Sequence, residues 1–237
     1  VFSHVPSNSY RNKTTIFVQF KLDAVDSSSE DEHNGLTSTP EEVGLDKREY
    51  LANLVYAAQE VDDWLAGRSY SISKYDSELG YIHSGGRRKD GMDGSICTYS
   101  YDENGARSQL TFAAEPCRIN TYGDSFTHCD QVNDGETWQE TLGAHIGEPI
   151  RNFGVSGHSV YQAYLRMKRE EGRLPAEFII FNIYDDDHFR SLFGWQSIKF
   201  GKTPTHIWPS IPYVEVNREA GGIVERDNPC PTSESLH

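Results

Sequence analysis

The chain has 237 residues and a formal net charge of −14, and its 36% of hydrophobic residues suffice for a folded protein with a packed core. The negative charge argues against nucleic acid as a partner, because each phosphate contact would form against the protein's own field. No apolar run approaches the roughly 20 residues that a membrane helix requires, so we expect no membrane span.

The N-terminal segment predicts a strand followed by one long helix. From Thr14 to Val25, apolar and polar residues alternate, as is typical of a strand. Thr39-Pro40-Glu41-Glu42 has the composition of a helix start: a capping hydroxyl, an early proline and two acids near the positive end of the dipole. The apolar spacing that follows predicts a helix to about Leu65, ended by Gly67.

The segment from Tyr70 to Glu115 is rich in Gly, Ser, Asp and Tyr. The short runs Ile96 to Tyr101 and Arg107 to Phe112 flank the pair Asn104-Gly105, which suits a tight turn, and together they predict a hairpin. We interpret residues 1–115 as a small mixed α+β accessory region.

After Pro116 the pattern changes to alternating strands and helices. In order, the segments are a strand at Arg118–Tyr122, a helical pattern through Trp138, Leu142 and Ile146, a strand at Ile150–Phe153, a helix at Val160–Glu171 and a strand at Phe178–Ile183. This alternation predicts a parallel α/β sheet over residues 116–237, with function at the carboxyl ends of its strands. A hairpin is predicted further on, from Tyr213–Asn217 and Ile223–Arg226.

The triplet Gly123-Asp124-Ser125 follows the first of these strands and precedes the helical pattern. Unpaired backbone N–H groups at such a position can stabilise an oxyanion beside the serine hydroxyl, so an acyl-transfer nucleophile is expected there. Taken alone, the Gly-Asp-Ser triplet also suits a turn or the N-cap of a helix. Its interpretation therefore depends on the segments that follow the next two strands.

From Ile119 to about Arg190 the chain resembles the SGNH hydrolases, also called GDSL esterases and lipases. The first block is Ile119-Asn120-Thr121-Tyr122-Gly123-Asp124-Ser125-Phe126, with Phe126 where the family name has leucine. The second, Asn152-Phe153-Gly154-Val155-Ser156-Gly157, resembles the family's Asn-x-x-x-x-Gly segment. The third is Tyr184-Asp185-Asp186-Asp187, where the family usually has Gly-x-Asn-Asp. The blocks follow the family's order and approximate spacing.

The resemblance implies a three-layer SGNH or flavodoxin-like fold, partial in this chain, and a serine ester hydrolase. It implies Ser125 as nucleophile and the Gly157 N–H as an oxyanion donor. Asp186 occupies the position of the family's asparagine, whose amide donates to the oxyanion, whereas an ionised carboxylate would repel it. The Asp186 carboxyl must therefore be protonated, turned away or otherwise employed, and we favour a solvated or ion-paired carboxylate, with Arg190 as a nearby partner.

The remaining site predictions concern substrate. Asp124, Gly154, His158 and His188 lie in or beside the three blocks and are candidate substrate contacts. The expected substrate is a small-molecule or glycan ester, and a carbohydrate O-acyl ester is one such class. The resemblance implies no cofactor and no metal.

The catalytic base is the weakest part of the resemblance. The family's histidine lies in a late Asp-x-x-His segment, but Asp185-x-x-His188 falls in the third block and Glu234-x-x-His237 follows a proline-rich stretch. We interpret His128, His158 and His188 as surface or substrate-contact residues. We therefore expect the base beyond residue 237, so that this chain is an incomplete and inactive piece of the enzyme.

Two alternatives stay open at this point. One is an SGNH-type O-acyltransferase, which uses the same serine and differs in how well water is excluded. The other is an SGNH-fold carbohydrate-binding module that has lost catalysis. The four cysteines leave disulfide pairing and compartment open, with a lean toward an extracytoplasmic location, and the sequence does not determine the oligomeric state.

Overall fold

The computed structural model describes residues 14–20, 46, 50, 52, 54–69, 71–91, 93–112, 116–202, 207–217, 219 and 221–237. In chain order, its strands and α-helices are β1 (Thr14–Phe20), α1 (Ala58–Leu65), β2 (Ser73–Asp76), β3 (Gly80–His83), β4 (Gly86–Lys89), β5 (Ile96–Tyr99), β6 (Ile119–Tyr122), α2 (Ser125–His128), α3 (Trp138–Ile146), β7 (Ile150–Asn152), α4 (Val160–Arg173), β8 (Phe178–Tyr184), α5 (Asp185–Arg190), α6 (Ser197–Phe200), β9 (Tyr213–Asn217) and β10 (Gly222–Arg226). Short 3-10 turns lie at Asp134–Glu136 and Ser233–Leu236.

A parallel sheet in the order β1-β8-β6-β7 forms the centre of the protein. Ile119 of β6 lies opposite Ile150 of β7 on one side and Phe178 of β8 on the other. These three strands follow the pattern expected from the sequence, and the α/β prediction is confirmed at this level. Their carboxyl ends, which carry the three blocks, meet at one edge of the sheet.

Strand β1 corrects the expected organisation, because it belongs to this sheet rather than to a separate accessory region. It pairs in parallel with β8 along its length, from Thr14 opposite Phe178 to Phe20 opposite Tyr184. A sheet of three strands would leave β8 as an unpaired edge, and β1 supplies the missing hydrogen bonds.

The amphipathic helix α4 covers one face of the sheet. Ser159 caps its first turn through Gln162, with reciprocal side-chain to backbone hydrogen bonds. Its buried residues pack into a cluster with side chains from the sheet: Ala106, Tyr122, Phe153, Val160, Ala163, Ile179 and Phe181. A second cluster joins α1 and β3 to the loop after β7 and to the segment before β9, through Trp64, Tyr81, Val155, Ile207 and Ile211. Side chains from both sides of residue 115 thus share each cluster.

The long helix predicted up to Leu65 is interrupted. Tyr56 and Ala57 are not helical, and α1 begins at Ala58. Ala57 has an extended backbone, and its N–H donates to the Glu60 carboxylate over 2.7 Å, which starts a new helix instead of continuing an old one. The predicted helix start at Thr39-Pro40 lies outside the described residues.

The two predicted hairpins have different outcomes. Strand β5 pairs with β4, and the run from Arg107 to Phe112 forms no strand, although a turn at Asn104-Gly105 brings Arg107 into a single bridge with Tyr101. The later hairpin is confirmed, since β9 and β10 pair antiparallel. Among the described residues, no helix is long and apolar enough to cross a membrane.

The buried side chain of Arg107 explains why the segment after the turn leaves the hairpin. Its guanidinium donates to the carbonyls of His128, Cys129 and Val132 at 2.5–2.7 Å and to Asp134 at 3.0 Å. These bonds hold the loop that follows α2, in which Cys129 has a left-handed backbone. One cation thus satisfies several carbonyls that would otherwise be buried without donors.

We predict that Arg107→Met destabilises the protein by about 3–5 kcal/mol, because the substitution removes the cation paired with the buried Asp134 carboxylate and the guanidinium donors to three carbonyls. Urea denaturation followed by circular dichroism measures this change. The control is Arg226→Met, which removes an ion pair with Glu215 in which both side chains are about half exposed. The control should change the free energy of unfolding little, and an equal loss in both variants would contradict the role given to Arg107.

Candidate functional site

Ser125 is the first residue of α2, directly after β6, and is half-buried. The Asp124 carboxylate accepts the Phe126 N–H at 3.0 Å and fixes the turn. In the described part of the chain, neither the N–H nor the hydroxyl of Ser125 has a hydrogen-bond partner. The helical pattern after Ser125 is broken, because α2 ends at His128, and so short a helix contributes little dipole. Stabilisation of an anion would therefore depend on individual N–H groups.

The loop after β7 approaches α2 closely. A Cβ on Gly154 would lie 2.3 Å from the backbone nitrogen of His128, so only glycine fits this position. Gly154 therefore sets the distance between the first and second blocks and packs against α2, which argues against direct contact with a substrate.

Gly157, at the end of the same loop, is held by its neighbours. All three polar groups of Ser156 are bound: its N–H to His83 (3.0 Å), its carbonyl to the Tyr81 hydroxyl (3.0 Å) and its hydroxyl to Asp130 (2.5 Å). The Gly157 carbonyl accepts from the Gln196 amide at 2.7 Å. The Gly157 N–H has no acceptor among the described residues, and its φ of +78° requires glycine.

Behind this loop lies a buried polar network that the sequence analysis missed. The His128 Nδ1 and the Ser156 hydroxyl both bind one Asp130 oxygen, and the Tyr101 hydroxyl binds His128 Nε2 at 2.6 Å. Burial lowers the pKa of His128, although Asp130 opposes this, so the ring is neutral at pH 7. Burial raises the pKa of Asp130, but the bonds from His128 and Ser156 outweigh it and lower the pKa overall. His83 and Tyr101 come from distant segments, and no spacing in the sequence could have indicated them.

Asp187 rather than Asp186 faces the first block. The Asp187 and Asp124 carboxyl groups are both buried, and they lie close enough for each to influence the pKa of the other. Burial raises the pKa of Asp187 to about 8; Arg190, with Nη1 2.7 Å from the carboxyl, opposes the rise and Asp124 adds to it. Burial also raises the pKa of Asp124. Asp187 is therefore mainly protonated at neutral pH.

The other predicted positions lie apart from this pair. The Asp186 side chain is 39% exposed and lies 3.4 Å from Arg190 Nε, as an ion-paired carboxylate at the surface. His188 is exposed on α5. His158 is fully buried, its Nε2 donates to the Tyr81 carbonyl at 3.0 Å, and burial lowers its pKa to about 3. This burial argues against substrate contact by His158.

None of the histidines near the blocks is hydrogen-bonded to Ser125 as a base would be. Both ring nitrogens of His128 are engaged, His158 is enclosed, and none of the described histidines hydrogen-bonds the Ser125 hydroxyl. Within the ranges that the structure describes, no group of three or more His, Cys, Asp or Glu side chains is arranged to hold a metal ion.

Comparison of the chain with family models, curated proteins and solved structures finds no significant match. The resemblance to SGNH hydrolases therefore rests on the three sequence blocks, and the family stays a prediction.

We predict that Asp187→Asn removes a pH dependence of stability. The folded protein keeps a proton on Asp187 up to about pH 8, whereas the unfolded chain releases it near pH 4. The free energy of unfolding of the wild type should therefore fall, relative to the variant, as the pH rises from about 4 to 8. Urea denaturation at several pH values across this window measures the difference.

The control is Leu142→Ala, which replaces a partly exposed side chain that has no ionisable group. Its difference from the wild type should stay constant over the same window. A constant difference for Asp187→Asn as well would mean that Asp187 is ionised throughout.

Proposed function

We propose that the protein is a serine ester hydrolase of the SGNH type, with Ser125 as its nucleophile. The observation that carries the proposal is that the backbone N–H groups of Ser125 and Gly157, which follow the neighbouring strands β6 and β7, have no acceptor among the described residues. Both residues are half-buried, and backbone N–H groups without an internal acceptor can donate to a developing anion.

In the proposed reaction, the Ser125 hydroxyl oxygen attacks the ester carbonyl and the carbonyl oxygen becomes an oxyanion. The N–H groups of Ser125 and Gly157 donate to that oxygen. The intermediate then collapses, the alcohol leaves with a proton, and water hydrolyses the acyl-serine to release the acid and regenerate the hydroxyl. The base that accepts the serine proton is not among the histidines described above.

The family's third oxyanion donor is an asparagine amide, and this protein has carboxyl groups in that part of the site. A protonated Asp187 carries no charge at neutral pH, and Arg190 Nη1 lies 2.7 Å from its carboxyl group. In the proposed reaction, the oxyanion thus meets a neutral carboxyl group at Asp187 rather than a second carboxylate. Loss of one donor typically lowers the rate by about 10²- to 10³-fold, so we expect an enzyme of modest activity.

One observation favours a second candidate function. The Ser125 hydroxyl lacks a base among the described residues, and this suits a binding module that kept the scaffold without the reaction. O-acyl transfer remains the related enzymatic alternative, since it uses the same acyl-serine with a sugar hydroxyl in place of water.

We predict that a fluorophosphonate probe labels the full-length protein on Ser125. The expected result is an adduct that peptide mass spectrometry assigns to this residue and that Ser125→Ala abolishes, because only an activated serine reacts. Ser233→Ala is the control: Ser233 is also half-buried and also opens a short helix, and its replacement should leave labelling intact. Absence of an adduct on correctly folded protein would exclude the hydrolase and favour the binding module.

A further inference from the structure

A cavity of about 190 Å³ lies between α1, the segment before β9 and the last residues of the chain. Its walls are mainly apolar and aromatic and include Val61, Trp64, Trp195, Ile207, Trp208 and Leu236. An apolar cavity of about 150 Å³ accepts benzene, so this one has room for a ring or a short alkyl chain. Trp195 is 42% exposed, which places part of the lining at the surface.

Several of the polar atoms in the lining have partners inside the protein. Trp64 Nε1 donates to the Ser73 carbonyl at 2.9 Å. The Ser210 hydroxyl donates to Asn228, and the Ser235 hydroxyl donates to a backbone carbonyl. A sugar ring would bury hydroxyl groups here with few partners, at a net cost, whereas an alkyl chain gains from burial alone. The lining therefore favours an apolar guest over a carbohydrate.

The cavity lies next to the candidate site, and the Trp208 ring forms the wall between them. A Cβ on Gly157 would lie 2.8 Å and 3.0 Å from two atoms of the Trp208 ring, so the indole lies against the Gly157 backbone. The same indole lines the cavity. A chain held in the cavity is thus separated by one ring from the N–H proposed to bind the oxyanion.

We propose that this cavity binds an unbranched alkyl chain, namely the acyl chain of the ester substrate. The proposal that an alkyl chain binds here is argued from the cavity alone. The identification of that chain as the acyl group of a substrate rests on the proposed esterase function. The substrate class is accordingly an ester of a short- to medium-chain carboxylic acid.

The binding test uses 1-butanol, 1-pentanol and 1-hexanol, which are neutral and so avoid the negative charge of the protein. Three of the four tryptophans line the cavity, so tryptophan fluorescence reports on its occupant. The dissociation constant should fall about fourfold for each added methylene. Val61→Phe fills the space and should weaken 1-hexanol binding about tenfold or more, whereas Leu142→Phe on α3, outside the lining, should not.

Because Val61 is buried and its replacement could impair folding, Ala58→Leu provides a second variant at an exposed position of the lining. It should also weaken 1-hexanol binding. Equal affinity for all three alcohols, or equal binding by the wild type and a folded filling variant, would overturn the proposal.

Ser125→Ala separates this proposal from the proposed function, since it should bind 1-hexanol as the wild type does. Alcohol binding without labelling of Ser125 would support the cavity as an alkyl-binding site and exclude a role of the cavity in hydrolysis.

If Ser125 is labelled, hydrolysis of p-nitrophenyl esters tests whether the bound chain is the acyl group of the substrate. The kcat/KM should rise from acetate to hexanoate in the wild type and should not rise in the filling variants. Labelling of Ser125 without alcohol binding would support the esterase proposal and contradict the proposal that the cavity binds an alkyl chain.

Discussion

The candidate site depends on the complete hydrogen bonding of Ser156. Its N–H, carbonyl and hydroxyl are each bound by a different side chain, and two of those, Tyr81 and His83, belong to strand β3. A loop fixed in this way cannot turn its next residue freely, so the Gly157 N–H keeps one orientation. Oxyanion stabilisation requires donors that are in place before the reaction begins, and a Gly157 N–H held in this way meets that requirement of the proposed reaction.

Three arginines, of which Arg107 and Arg166 are buried, connect the remaining parts of the site. Arg107 ties the loop after α2 to the segment before β6, and Arg190 Nη1 lies 2.7 Å from the Asp187 carboxyl group. Arg166 on α4 donates to the Gly105 carbonyl at 2.7 Å and lies over the Phe153 ring. In a protein of net charge −14, basic side chains are scarce. These three lie where carbonyl or carboxylate groups would otherwise lack partners, since a planar guanidinium can serve several acceptors at once.

The sequence predicted the features that follow from local patterns. The apolar run Phe178–Ile183 predicted a central strand, and β8 is paired on both sides. The partner on the outer side of β8 could not be predicted, because the parallel pairing of β1 depends on contacts between residues more than 150 positions apart in the chain.

The environments of three adjacent acids could not be predicted either, since such residues look alike in sequence. The 100° turn between successive residues of α5 places Asp186 at the surface, in an ion pair, and Asp187 in the interior, where burial raises the pKa of its carboxyl group. The sequence did not indicate that Tyr81 and His83 contact the candidate site. A histidine in a short strand is more often a core residue than part of a site.

The carboxyl groups near Ser125 and the aromatic cavity both affect how well the proposed enzyme could stabilise its transition state. A site with two backbone donors and a carboxyl group in place of an amide stabilises the transition state less well than one with three donors. Interactions with a remote part of the substrate can offset part of this loss, because binding energy realised away from the reacting bond can be used to orient it. An alkyl chain against Trp208 would supply such energy directly beside Gly157, where orientation of the carbonyl matters most. On this reasoning, the proposed enzyme depends more on its acyl chain than one with a complete set of donors, and short esters such as acetates should be its poorest substrates.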